Sequence, residues 1–182
     1  MNIMNMPTRS PLLILIASLT LCSAMEGSSL AAQQQASVKA DLPWPPVATF
    51  SILGFDPETG EIGAAVQSRV FSVGNGVLWA KAGVGVAATQ AIVDVSYGPQ
   101  ALELLALGYS PDVVVRTILD ADPNPDPERW AIEGRQFSVM DFQGNVATHT
   151  GPQASTWAGH KIERYVSAQG NILAGPEVVE GM

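Results

Sequence analysis

The hydrophobic period of this chain changes twice, and that order limits the folds open to it. Apolar residues alternate along short stretches from Thr49 to Gln90. They recur at helical spacing from Tyr97 to about Ala121, and strand-like runs return from Gln136. Strands, then a helix pair, then strands is an α+β order rather than a series of βα units. It predicts two sheets packed face to face with helices outside. The strands expected are Thr49–Phe55, Glu61–Gln67, Lys81–Gln90, Gln136–Asp141, Asn145–Thr150 and about Tyr165–Gln169. Phe71–Trp79 reads as a broken extended stretch that turns at Gly74-Asn75-Gly76. The glycines at 83 and 85 fall inside a small-residue strand, covered closely on both faces. Ser96 stands near the cap of the first helix, which Gly108 ends. Ser110, Pro111 and Asp112 supply the cap, the first-position proline and the first-turn acid of the second.

What precedes Thr49 reads as export machinery. The apolar run Pro11–Leu21 has the length of a signal-peptide core and is too short for a mature membrane span. Ser29-Leu30-Ala31 fits a small-x-small cleavage site, so residues 1–31 are assigned to a signal peptide. Residues 32–48 form a Pro-rich linker or pro-segment, and 49–182 form one domain. A secreted or periplasmic location follows, with no membrane attachment once the signal is removed. Cys22, the only cysteine, lies in that leader, so the mature domain has no thiol for a disulfide, a nucleophile or a metal. His149 and His160 are too few for a zinc cluster, and no metal or cofactor is expected. The net charge of −8 disfavours nucleic acid and anionic lipid as partners.

Thr49 carries the sharpest chemical reading. A threonine that opens the first core strand behind a removable leader is what an N-terminal-nucleophile hydrolase needs. One residue then supplies the attacking hydroxyl and, through its freed α-amine, the general base. The competing reading is a β-branched strand former.

The runs TFSILGFDPETGEIGAAVQSR, WAKAGVGVAATQA, SYGPQALELL, FSVMDFQGNVATHTG and WAGH…QGNILAG together resemble the domain of unknown function 1028 family. They cover nearly all of Thr49–Val179. That family resembles the N-terminal-nucleophile (Ntn) hydrolases. The resemblance implies a four-layer αββα sandwich like that of proteasome β subunits. The family's chain continues well past Gly175, so the resemblance also implies a domain truncated at its C-terminus. It implies Thr49 as nucleophile and Lys81 as the cation that favours a free amine, against a snorkelling strand-end lysine. It implies the backbone N–H groups of Thr89 and Gln90 as an oxyanion hole. Ser68 and Arg69 become candidates to hold the amine or a substrate carboxylate, although Arg69 also reads as a partner of Glu61 or Asp94. His149 is read as general base or structural histidine, and Asn171 as oxyanion donor or turn residue.

The function expected is an exported Ntn-type amidohydrolase acting on amide C–N bonds of an unspecified small-molecule or peptide-like substrate. The alternative is a non-catalytic ligand-binding or assembly module on the same fold. It would use an inter-sheet cleft walled by Trp79, Trp157 and Tyr165, or associate as a homo-oligomer.

Overall fold

A computed structural model describes residues 48–182. The expected signal peptide, and the linker up to Val47, lie outside the described residues. The chain opens with a hairpin of β1 (Thr49–Phe55) and β2 (Ile62–Ser68). Its turn is built as the sequence suggests: Asp56 Oδ1 accepts the Glu58 N–H at 2.8 Å, and Gly60 takes φ +74°. Next come a short helix α1 (Gly74–Val77), β3 (Leu78–Lys81) and β4 (Gly85–Ala91). The helix pair is α2 (Tyr97–Ala106) and α3 (Pro111–Asp120). A 3₁₀ turn at Ile132–Gly134 leads into β5 (Arg135–Asp141) and β6 (Val146–Thr150). The remainder is β7 (Ala158–Glu163), β8 (Val166–Asn171) and α4 (Pro176–Glu180).

The strands form two antiparallel sheets, ordered β2-β1-β8-β7 and β3-β4-β5-β6. The mixed α and β class with two face-to-face sheets therefore holds. Alternation along each strand divides the side chains into layers. Leu53 of β1 meets Val86 and Ala88 of β4 and Met140 of β5 between the sheets. On the opposite face of β4 and β5, Ala87, Phe137 and Val139 pack against Tyr97, Ala101, Leu105, Val114 and Ile118 of the helix pair. Small side chains on β4 let a sheet and a helix layer approach it from both sides. The outer face of the first sheet is covered less. There Ala168, Leu173 and Val179 form a small cluster that Ala48 and Phe50 join.

Three local expectations are corrected. Phe71–Trp79 is not an extended hairpin: Gly74–Val77 makes one helical turn, and the strand begins only at Leu78. A tertiary contact imposes that turn, because Thr89 Oγ1 donates to Gly76 O at 2.8 Å. Lys81–Gln90 is not one strand. It contains a tight reversal in which Gly83 takes φ +70°, the left-handed region that glycine enters at little cost. Finally, Ala158–Glu163, where no strand is expected, is a full strand.

Candidate functional site

The space between the sheets is apolar only over part of its length. Toward the end where β1 starts and β4 and β8 stop, polar side chains replace the apolar ones. Ser51, Gln90, Gln136, Gln169 and Asn171 are buried there, and Ser138 and Ser167 are buried farther along β5 and β8. Such burial is tolerated only when hydrogen bonds replace water. Ser138, Thr148 and Ser167 close a hydroxyl triangle at 2.7–3.1 Å. Gln169 Nε2 donates to Ala88 O at 2.9 Å, tying β8 across to β4. Gln136 Nε2 faces Thr150 Oγ1, Gly159 O and Gly170 O, each at 3.0 Å. Gln136 Oε1 accepts from Asn171 Nδ2 at 3.3 Å, and Asn171 Nδ2 also donates to Gln90 Oε1 at 2.9 Å. His160 Nδ1 lies 2.8 Å from Thr150 Oγ1 and extends the chain of contacts toward the surface.

A cavity of about 360 Å³ opens at this end. Thr49, Val73, Val77, Gln90, Ala91 and Asn171 line it. Thr49 lies opposite Ser68 in one ladder and opposite Asn171 in the other. Its Oγ1 is 2.8 Å from Ser68 Oγ, which also accepts the Val70 N–H at 3.0 Å. Val70, Phe71 and Val93 form the mouth, exposed by 54, 97 and 39 %. Backbone strain gathers at the same place. Ser72 and Ala91, both lining residues, have φ of 57° and 62°, and Ile172, next after Asn171, has 54°. Non-glycine residues rarely adopt such angles, and such strain concentrates at functional sites. A larger hollow of about 760 Å³ lies at the opposite end of the sheets, beside Gly60 and Gly83. It is a more open depression that holds none of the polar residues described above.

The wall that carries Ala91 and Val93 is held from behind. Arg135 Nη1 donates to Ile92 O at 2.9 Å, and Arg135 Nε donates to the buried Asp122 carboxylate at 3.0 Å. Tyr97 donates its hydroxyl to the same carboxylate. Burial pushes the Asp122 carboxyl up. The hydrogen bonds from Tyr97, the Asn124 N–H and Arg135 outweigh it and hold the group below the usual carboxylate range. Burial and the neighbouring Asp122 charge push the Tyr97 phenol well above its ordinary value. Both groups therefore hold their charge states near neutral pH.

The structure brings Thr49, Ser68, Gln90 and Asn171 to one place. It does not bring Lys81. That residue pairs with Gly85 at the far end of the hairpin, and Gln90 lies five residues along β4, roughly 17 Å away at about 3.4 Å per residue. β3 runs away from the Thr49 end, and Lys81, its last residue, stands just before the reversal at Gly83. Lys81 is exposed there and cannot tune a group at Thr49. Thr89 is adjacent, with its side chain spent on Gly76 O. Arg69 follows Ser68 on the exposed side, and His149 lies half-buried on β6 opposite Phe137, away from the cavity lining. Burial holds both His149 and His160 below the usual imidazole value, and the His149 charge adds to this at His160. Sequence reasoning missed Gln136. The clue available was its alternation with Ser138 on the expected strand Gln136–Asp141.

Trp79, Trp157 and Tyr165 do not share a cleft. Trp79 packs against the helix pair, Trp157 against the outer cluster of the first sheet, and Tyr165 edge-on to Phe55. Among the described residues, no cluster of three or more His, Cys, Asp or Glu is placed to hold a metal. No helix among them is long and apolar enough to cross a membrane.

A family model for DUF1028, a family of unknown function, matches residues 49–182. The chain belongs to DUF1028. A crystal structure of a DUF1028 protein from Silicibacter pomeroyi is similar to it, with a TM-score of 0.67 and 32% identity. The match covers 73% of this chain and 56% of that protein, so this DUF1028 chain spans little more than half of its relative's length. No curated protein matches it.

Proposed function

We propose that this DUF1028 chain is an Ntn-type amidohydrolase, an αββα-class enzyme in which Thr49 is both nucleophile and base. The observation that carries the proposal is the position of Thr49. It is the first residue of β1, its hydroxyl is hydrogen-bonded to Ser68, and it lines a cavity whose backbone is strained on two sides. None of the cavity's described lining residues is ionisable. An α-amine freed by cleavage of the Ala48–Thr49 bond would be the sole base at that wall. Partial burial lowers the pKa of an ammonium, so the apolar surroundings do the work first assigned to Lys81. Thr49 Oγ attacks the amide carbonyl, the amine takes the hydroxyl proton and passes it to the leaving nitrogen, and the C–N bond breaks. Water then releases the acyl group. N–H groups at the end of β4 hold the oxyanion. Export to the periplasm or beyond fits the leader in the sequence.

Intact mass and N-terminal sequencing of the mature protein test this. A chain that begins at Thr49 and loses amide hydrolysis on Thr49→Ala, with its melting curve retained, supports it. A mature chain that keeps Ala48 refutes it. One observation favours the second reading, a non-catalytic binding module: Ala48 packs with Ala168, Leu173 and Val179, a contact that cleavage gives up.

A further inference from the structure

A chain of carboxamides has a direction, and here two backbone carbonyls set it. Gly159 O and Gly170 O can only accept, so Gln136 must turn its Nε2 toward them. Its Oε1 then faces Asn171, which must present Nδ2. The same Nδ2 meets Gln90 Oε1, and this turns Gln90 Nε2 the other way. Gln90 is 1% exposed and lines the cavity, yet its Nε2 has no hydrogen-bond partner among the described residues. A buried amide N–H without an acceptor costs on the order of 1–3 kcal/mol, and three residues fix this one in place. Its surroundings narrow what the missing acceptor can be. The lining holds valines, Phe71 and small residues and no charged side chain, which suits an apolar group and repels a carboxylate. At roughly 30 Å³ per water-sized group, about 360 Å³ admits a ligand of on the order of ten heavy atoms.

We infer that the cavity takes an uncharged amide with an apolar acyl chain of about eight carbons, whose carbonyl oxygen accepts a hydrogen bond from Gln90 Nε2. Where the inference concerns turnover it rests on the hydrolase reading; where it concerns binding it stands alone. In the reaction Gln90 Nε2 then donates to the oxyanion beside the backbone N–H groups at the end of β4. Asn171 and Gln136 are positioning residues that hold it.

The test titrates the full chain calorimetrically with octanamide, acetamide and succinamate. Octanamide should bind on the order of 10³-fold tighter than acetamide, from its six added buried methylenes, and succinamate should not bind. Gln90→Glu keeps the acceptor for Asn171 and replaces the donor, and it should weaken octanamide by at least about 10-fold. If that variant does not fold, Val93→Asp at the exposed mouth decides, with the same loss expected and no change in melting. Succinamate binding as well as octanamide overturns the inference, as does a folded Gln90→Glu variant that binds normally. The mature protein is then treated with p-nitrophenyl octanoate and p-nitrophenyl acetate. The Thr49 Oγ–acyl bond forms, p-nitrophenolate leaves, and the hydroxyl proton passes to the α-amine. A Thr49 adduct seen by mass should form faster with octanoate, and Gln90→Glu should slow it about 10²–10³-fold. Equal rates for the two esters overturn the acyl-chain assignment. No adduct with either ester, while octanamide still binds through Gln90, overturns the hydrolase reading and supports the binding inference.

Discussion

Replacing Gln136 by leucine removes the hub of the buried amide chain while nearly preserving volume. Its two Nε2 hydrogens serve three acceptors, Thr150 Oγ1, Gly159 O and Gly170 O, so they amount to about two full hydrogen bonds. Oε1 accepts a third from Asn171. At a net contribution of about 1 kcal/mol for each, the loss is about 3 kcal/mol. Leucine buries apolar atoms in return. It cannot satisfy the Asn171 N–H that Gln136 Oε1 accepts, and that group stays desolvated. The expected result is therefore a destabilisation of about 2–4 kcal/mol, a large share of the roughly 5–15 kcal/mol that holds a domain of this size. Urea unfolding followed by tryptophan fluorescence reads it as a lower midpoint at unchanged slope. A loss below about 1 kcal/mol would refute the reasoning, because it would mean that water or a side-chain shift replaces the network at no cost.

Arg135→Met leaves the Asp122 carboxylate buried without its cation, and about 3–5 kcal/mol of stability should go with it; a midpoint shift below about 1 kcal/mol counts against the ion pair. Stability should also fall on mild acidification. His149 and His160 titrate below their usual value of 6.5 in the folded protein, so between that value and the lower folded one the unfolded chain binds more protons. Their contribution is complete above about pH 6.5 and declines as the pH drops below it, and His160→Gln should flatten the melting profile across that window. An added Cβ on Gly98 would stand 2.0 Å from Trp79 Cδ1, so Gly98→Ala should cost about 1–3 kcal/mol by overpacking, measured as a lower melting temperature.

The elements legible in the sequence were those whose pattern is local. β1, β2, β5, β6 and the helix pair carry their own period and turn residues. β7 did not declare itself, because it is an edge strand with four exposed side chains in a row and no alternation of burial. The helical turn at Gly74–Val77 was illegible because two of its four residues are glycine and a hydroxyl from β4 holds it. Thr49, Ser68, Gln90 and Asn171 were nameable, since each ends or begins a strand. Lys81 was placed by resemblance on one strand running to Gln90, and the small residues around Gly83 do not show that the chain reverses there. The amide chain stayed hidden for a different reason. Glutamine at alternate strand positions is the signature of a wet face, and only the second sheet turns that face into an interior.

Because the carboxamides at 90, 136 and 171 must all point the same way, they are one heritable character spread over three strands. A change at any of them that reverses a donor into an acceptor leaves its neighbours facing the wrong partner. A joint replacement, such as an apolar triplet, should therefore cost less than replacing the three one residue at a time. A relative that has lost the terminal donor at position 90 is thus expected to have rebuilt the links behind it.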